Sequence, residues 1–147
     1  MIVALLAAPA AAAATLTLRV TSVALSVKPT DVAPKGRSKG DTIAYRDRLL
    51  NARAQLGRRK GAVVGSDQGT MTFTGRHTAR FVGVARLRGG TLKLAGKVSA
   101  LPDHSLVIPV TGGTGRFAGA HGYLVAGPGS KTSLNTYTLT LPSAPVA

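Results

Sequence analysis

From residue 15 onward the apolar and polar positions alternate with a period of two. No stretch of normal length sustains the 3.6-residue period of an amphipathic helix. Thr15-Leu16-Thr17-Leu18-Arg19-Val20 alternates, and Val23, Leu25 and Val27 resume one residue out of phase. A one-residue slip moves side chains to the opposite face, so it predicts a bulge near Thr21-Ser22. Residues 28–40 (KPTDVAPKGRSKG) read as a solvated loop, rich in proline, glycine and basic residues. Further strands are predicted over residues 40–50, 58–67, 76–88, 91–100, 105–111, 116–126 and 131–141, and the second of these is extendable past Gln68-Gly69 to Thr74. Gly89-Gly90, Pro102-Asp103, Gly112-Gly113-Thr114-Gly115 and Gly127-Pro128-Gly129-Ser130 separate them. Residues 49–55 allow one helical turn. The fold class is all-β, with about eight antiparallel strands that suit a closed barrel or a sandwich. A closed eight-stranded barrel has a lumen that is either filled by side chains or able to hold one small ligand.

Strand parity selects candidate chemistry. Asp41, Ile43, Tyr45, Asp47 and Leu49 share one face, while Thr42, Ala44, Arg46, Arg48 and Leu50 share the other. The first face is the more apolar and is expected to point inward, which puts the Asp47 carboxyl on an apolar wall. A carboxyl so placed favours its neutral form unless an arginine or a tyrosine hydroxyl contacts it, and it is then suited to giving or taking a proton. The bland alternative is an aspartate wetted at the strand end or paired with a neighbouring arginine. Over residues 116–126, Phe117, Gly119, His121, Tyr123 and Val125 share a face. His121 and Tyr123 are therefore candidate lumen partners, a proton carrier and a hydroxyl donor. Their alternative is a core histidine and a tyrosine at the barrel mouth. Asn135 and Tyr137 share a face with Leu139 and Leu141, and His77 shares one with Ala79 and Phe81.

Composition narrows the field. With 147 residues there is room for one domain, and 44% hydrophobic residues suffice for a core. The chain has no Cys, no Glu and no Trp, and its acids are Asp31, Asp41, Asp47, Asp67 and Asp103. A disulfide framework, a thiolate metal site and a multi-carboxylate cage are set aside, and the three histidines have no metal-ligand spacing. Ser66-Asp67 and His104-Ser105 do not make a hydrolase, because no G-x-S-x-G elbow exists. The GGTG run leads into an alternating strand rather than a helix, so its glycines are expected to supply positive φ and a sharp corner, not a phosphate loop. Residues 1–14 (MIVALLAAPAAAAA) resemble the apolar and cleavage regions of a secretory signal, although the usual basic residue before the apolar run is missing. The expectation is a secreted protein with a single barrel domain over residues 15–147.

The formal charge is +14, carried by 19 scattered lysines and arginines. An exported cationic domain would adhere to anionic cell-envelope polymers or membrane surfaces. Specific nucleic-acid binding needs stacking aromatics beside the basic groups, and only six aromatics exist, so none is expected.

Two stretches carry a family likeness. Gly40-Asp41-Thr42-Ile43-Ala44-Tyr45-Arg46-Asp47-Arg48-Leu49-Leu50, followed by Leu56-Gly57-Arg58-Arg59-Lys60-Gly61, resembles the opening of plant dirigent proteins and allene oxide cyclases. Gly112-Gly113-Thr114-Gly115-Arg116-Phe117-Ala118-Gly119-Ala120-His121-Gly122 is similar to that family's GGTG-[KR]-F-x-x-A-x-G segment. The resemblance implies an eight-stranded antiparallel barrel with a hydrophobic lumen, often a homotrimer. It also implies cofactor-free steering of a cyclisation or a coupling. Asp47 falls on a functional aspartate position of several dirigent proteins. His121 stands where those proteins usually carry arginine. The cyclases' pocket glutamate and cysteine have no counterpart, which argues against their known activity. The combined expectation is a secreted barrel that binds a small apolar ligand of lipid, phenolic or polyketide type and guides its conversion, an isomerase-type role. Asp47, His121 and Tyr123 are its expected catalytic groups, and Ile43, Tyr45, Phe117, Asn135 and Tyr137 its lining. The rival is a non-catalytic basic binding protein of the cell envelope.

Overall fold

The structure, a computed structural model, describes residues 13–142. The expected leader, residues 1–14, lies almost wholly outside them. Eight strands follow one another as β1 (Ala14–Thr30), β2 (Thr42–Asn51), β3 (Val63–Phe73), β4 (Thr78–Leu87), β5 (Gly90–Ser99), β6 (Leu106–Gly113), β7 (His121–Ala126) and β8 (Thr132–Leu141). Each pairs antiparallel with its chain neighbours, and β8 returns to β1, so the sheet closes into a barrel. Closure removes the two free edges of an open sheet, and only the rim ends of β1 and of the β5–β6 seam run beyond their ladders.

The differences from the sequence expectation have local causes. The β1 bulge lies between Ala24 and Ser26, slightly beyond Thr21-Ser22. β1 runs on to Thr30 through Pro29, which pairs with Ile43. A proline is tolerated there because β8 pairs with β1 only as far as Val23, leaving that flank free of a ladder. Residues 49–55 form no helical turn. β2 continues to Asn51, whose side-chain amide donates to the carbonyls of Gln55, Arg58 and Arg59 and ties the next turn shut. β3 therefore begins at Val63 rather than near residue 58, and it does pass through Gly69 to Phe73. The single strand expected over 116–126 is instead a 3-10 turn, Gly115–Phe117, and the short β7.

One end of the barrel is filled. Leu18, Val20, Leu49, Leu92, Leu94, Phe117 and Leu139 are all buried there and form a floor. The loops 31–41, 74–77, 100–105 and 127–131 surround the other end. Asp41 does not face the lumen. Its carboxylate accepts from the backbone N–H groups of Val32 (2.8 Å) and Ser38 (2.9 Å) and staples the 31–41 loop to the rim.

Gly69 and Gly83 pair across β3 and β4. A Cβ at Gly69 would lie 2.9 Å from Phe81 Cζ, 2.9 Å from the Val82 carbonyl oxygen and 3.0 Å from Tyr45 Oη. The missing side chain lets both rings lie against the wall. Gly69→Ala is expected to cost about 1–3 kcal/mol by overpacking, readable as a lowered denaturation midpoint with an unchanged m-value.

Candidate functional site

Between the floor and the rim lies a cavity of about 240 Å³. β2 and β3 build its polar wall. Their register sets Asp47 opposite Asp67, Tyr45 opposite Gly69 and Ile43 opposite Met71. Period two then sends all of these inward. Phe81, Leu106, Leu124, Ala126 and Asn135 supply much of the remaining lining. The Tyr45 and Phe81 rings lie with centroids 5.7 Å apart at 37°.

The two carboxyls are flanked by small residues. Ala24 is paired with Asp47 and Ala85 with Asp67. Neither offers a charge or a donor, and Asp67 is only 3% exposed. Asp67 Oδ1 has no hydrogen-bond partner, nor has the hydroxyl of the wholly buried Tyr137. Burial, with the charge of Asp47 and a hydrogen bond to it added, pushes the Asp67 carboxyl up to about 8. Two adjacent carboxyls in a dry site cannot both ionise, so at neutral pH the pair holds one shared proton. Burial also raises the Tyr45 and Tyr137 phenols, with Asp67 the next cause for each, and both stay neutral. The site thus offers one acidic O–H, one carboxylate and the neutral Tyr45 phenol around an apolar void, with the Tyr137 phenol buried beneath it. That set can donate a hydrogen bond, accept one, and pass a proton without net change.

The candidates separate cleanly by place. Asp47, Ile43, Tyr45 and Asn135 line the cavity. Tyr137 lies buried beneath them, near enough for both acids to act on its phenol. Phe117 is buried in the floor, away from the cavity lining. His121 is exposed, and Tyr123 is 46% exposed. Both point outward, so the placement expected for them in the lumen is corrected. The 3-10 turn at Gly115–Phe117 breaks the alternation, and β7 restarts with Gly122 opposite Leu139 and Leu124 opposite the buried Tyr137. Even-numbered residues of β7 therefore face inward. His77 is exposed in the loop before β4. Asp67 is the functional residue that the sequence reading misses, because beside Ser66 it reads only as a hydrolase fragment. Its signal was its place two, four and six residues before Gly69, Met71 and Phe73 on one strand face. Among the described residues no group of three or more His, Cys, Asp or Glu is arranged to hold a metal ion.

The sequence model of the dirigent-like protein family matches residues 14–141. No curated protein sequence matches the chain. Among solved structures, a pyocyanin demethylase superposes with a TM-score of 0.74 at 22% identity, covering 85% of this chain and 100% of that one. A pterocarpan synthase dirigent protein gives 0.61 at 18% identity, covering 88% and 84%. A Diels–Alderase from Streptomyces koyangensis gives 0.67 at 22% identity, covering 89% of this chain and 65% of its own. At these identities the likeness speaks for the barrel fold.

Proposed function

Because the chain belongs to the dirigent-like family, we propose that its barrel binds a small, largely apolar ligand in the lumen and guides its cyclisation or coupling by proton transfer. The observation that carries this reading is the Asp47–Asp67 pair, two carboxyls set opposite each other on the wall of a mostly apolar cavity. Asp47 is the acid/base group and Asp67 holds the shared proton beside it. Tyr45 and Phe81 orient a planar ligand against β2 and β4. The relatives named as a pterocarpan synthase and a Diels–Alderase act on ring-forming chemistry, which agrees with this reading. Export of the domain, through residues 1–14, is part of the same proposal.

The test is capture and turnover. The full chain is soaked in a lipid and phenolic extract, repurified, and its bound compounds identified beside those of an Ala126→Trp variant that fills the cavity. A compound held by the wild type and absent from the variant is expected; identical recovery from both would contradict the lumen as the site. With that compound or its precursor as substrate, Asp47→Asn is expected to retain capture and to lose roughly 10²-fold or more in turnover.

A second property rests on the exterior. Arg46, Arg48, Arg80, Arg86, Lys93 and Lys97 all project outward, exposed, from β2, β4 and β5. These basic side chains, interrupted by the uncharged outer face of β3, favour association with anionic envelope polymers, a contact that salt should release. It is compatible with a filled or an empty lumen, and so does not compete with the ligand site.

A further inference from the structure

The charge inside the barrel is opposite in sign to the charge outside it. The chain carries 19 lysines and arginines, yet none lines the cavity. The ionisable groups of its lining are Asp47, Asp67 and Tyr45, with Tyr137 beneath. The other walls contribute Ala24 and Val27 from β1, Met71 from β3, Phe81 from β4, Leu106 from β6, Leu124 and Ala126 from β7 and Asn135 from β8, none of which titrates. A pair of carboxyls with one proton leaves one negative charge, uncompensated by any cation in the lining. An acceptor, Asp67 Oδ1, is also left without a donor on a residue that is almost wholly buried.

We propose that the ligand of this lumen presents a protonated nitrogen, an ammonium or a protonated N-heterocycle on a one- or two-ring apolar body, to the Asp47–Asp67 pair, and that carboxylate ligands are excluded. The inference rests on the lumen being the ligand site and deepens that reading by naming the ligand class. A cationic N–H set against the pair neutralises its charge in a water-poor site, where such contacts are strong. The Tyr45 and Phe81 faces attract the same cation, and the Met71 thioether packs against rings. A carboxylate would add a second negative charge to a wall with no basic residue. A neutral phenol or alcohol would gain the hydrogen bond without the charge pairing.

Charge pairing is linked to the shared proton. A cation beside the pair favours the doubly ionised state, so binding should expel the proton, and affinity should rise as pH is raised from 6 to 8. The bulk charge of +14 works against the approach of a cation, so a preference for one must come from the lumen.

Three probes of one shape decide the matter: 1-naphthylmethylamine, 1-naphthylmethanol and 1-naphthoate. Each is titrated calorimetrically into the full chain at pH 7 in two buffers of different ionisation enthalpy, and into Ala126→Trp to remove lumen binding. The amine is expected to bind at least tenfold more tightly than the alcohol with release of a fraction of a proton. The naphthoate is expected to show no lumen-dependent binding. Asp67→Asn should abolish proton release, and the Asp47→Asn/Asp67→Asn double variant should abolish the preference for the amine. The wild-type ranking and proton count stand even where a variant fails to fold. If the alcohol or naphthoate matches or exceeds the amine in lumen-dependent binding, the ligand class is wrong while the pocket stands. If no probe distinguishes the wild type from Ala126→Trp, both readings fall.

Discussion

Asp67→Asn is expected to raise the stability of the protein above neutral pH and to flatten its pH dependence. In the native state the Asp67 carboxyl is held up at about 8, against an ordinary value of 3.8. Between those values the native protein keeps a proton that the unfolded chain has released. Stability therefore falls as pH rises from about 4 to about 8 and levels off beyond. At about 1.4 kcal/mol per unit, the full loss is on the order of 4–6 kcal/mol, reduced by whatever water enters the cavity. Asparagine keeps the shape and removes the second charge, and its amide donates to Asp47. At pH 9 the variant should be the more stable by roughly 2–5 kcal/mol, a rise of several degrees in Tm. Near pH 4 the two should nearly coincide. Thermal melts across pH 4 to 9 measure this, and parallel curves for the two proteins would show that Asp67 carries no held proton. The price of the site is thus visible as instability that a single amide relieves.

The other large effect lies at the closed end. There the Gly89-Gly90 turn packs backbone to backbone on Gly113-Thr114-Gly115. A Cβ on Gly113 would lie 2.3 Å from the Phe117 carbonyl oxygen and 2.7 Å from that of Thr91. One on Gly115, at φ +60, would lie 2.2 Å from the Gly89 carbonyl oxygen. Main-chain oxygens in a closed sheet cannot step aside as a side-chain tip can. Gly113→Ala or Gly115→Ala should cost about 3 kcal/mol or more by overpacking, with left-handed strain added at Gly115. Phe117 plugs the floor from the same turn, so the loss should appear as a collapsed denaturation midpoint or as insoluble protein. A midpoint within a few tenths molar of wild type would contradict it. This reading gives the glycine-rich motif a steric role and no part in binding. Gly115 alone of its three glycines has the positive φ that the sequence led us to expect. Gly113 is needed for close approach instead.

Alternation alone located most strands, because a barrel wall with one wet and one dry face writes its geometry as period two. It located Asp47 and Tyr45 correctly for that reason, since β2 keeps its phase from Ile43 to Leu49. It failed where the backbone leaves the strand without a change in composition. The residues 116–126 still alternate on paper, yet the first two of them belong to a 3-10 turn, and His121 and Tyr123 emerge on the outside. The strand face of Asp67 was legible in β3, but its role was legible only through pairing. Its partner across the ladder is Asp47, separated by 20 residues and by a tied turn whose length the sequence does not disclose. Tertiary register, rather than any local motif, makes two ordinary aspartates into one acid.

One proton is held inside the barrel by the Asp47–Asp67 pair, and a carbon-13 NMR titration of the aspartate side-chain carboxyls reads it directly. Of the five aspartates, one resonance should titrate between about pH 7 and 9 and vanish in Asp67→Asn. Five carboxyls all titrating below pH 5 would mean that both acids are ionised and hydrated at neutral pH, and that the pocket has no acid to lend.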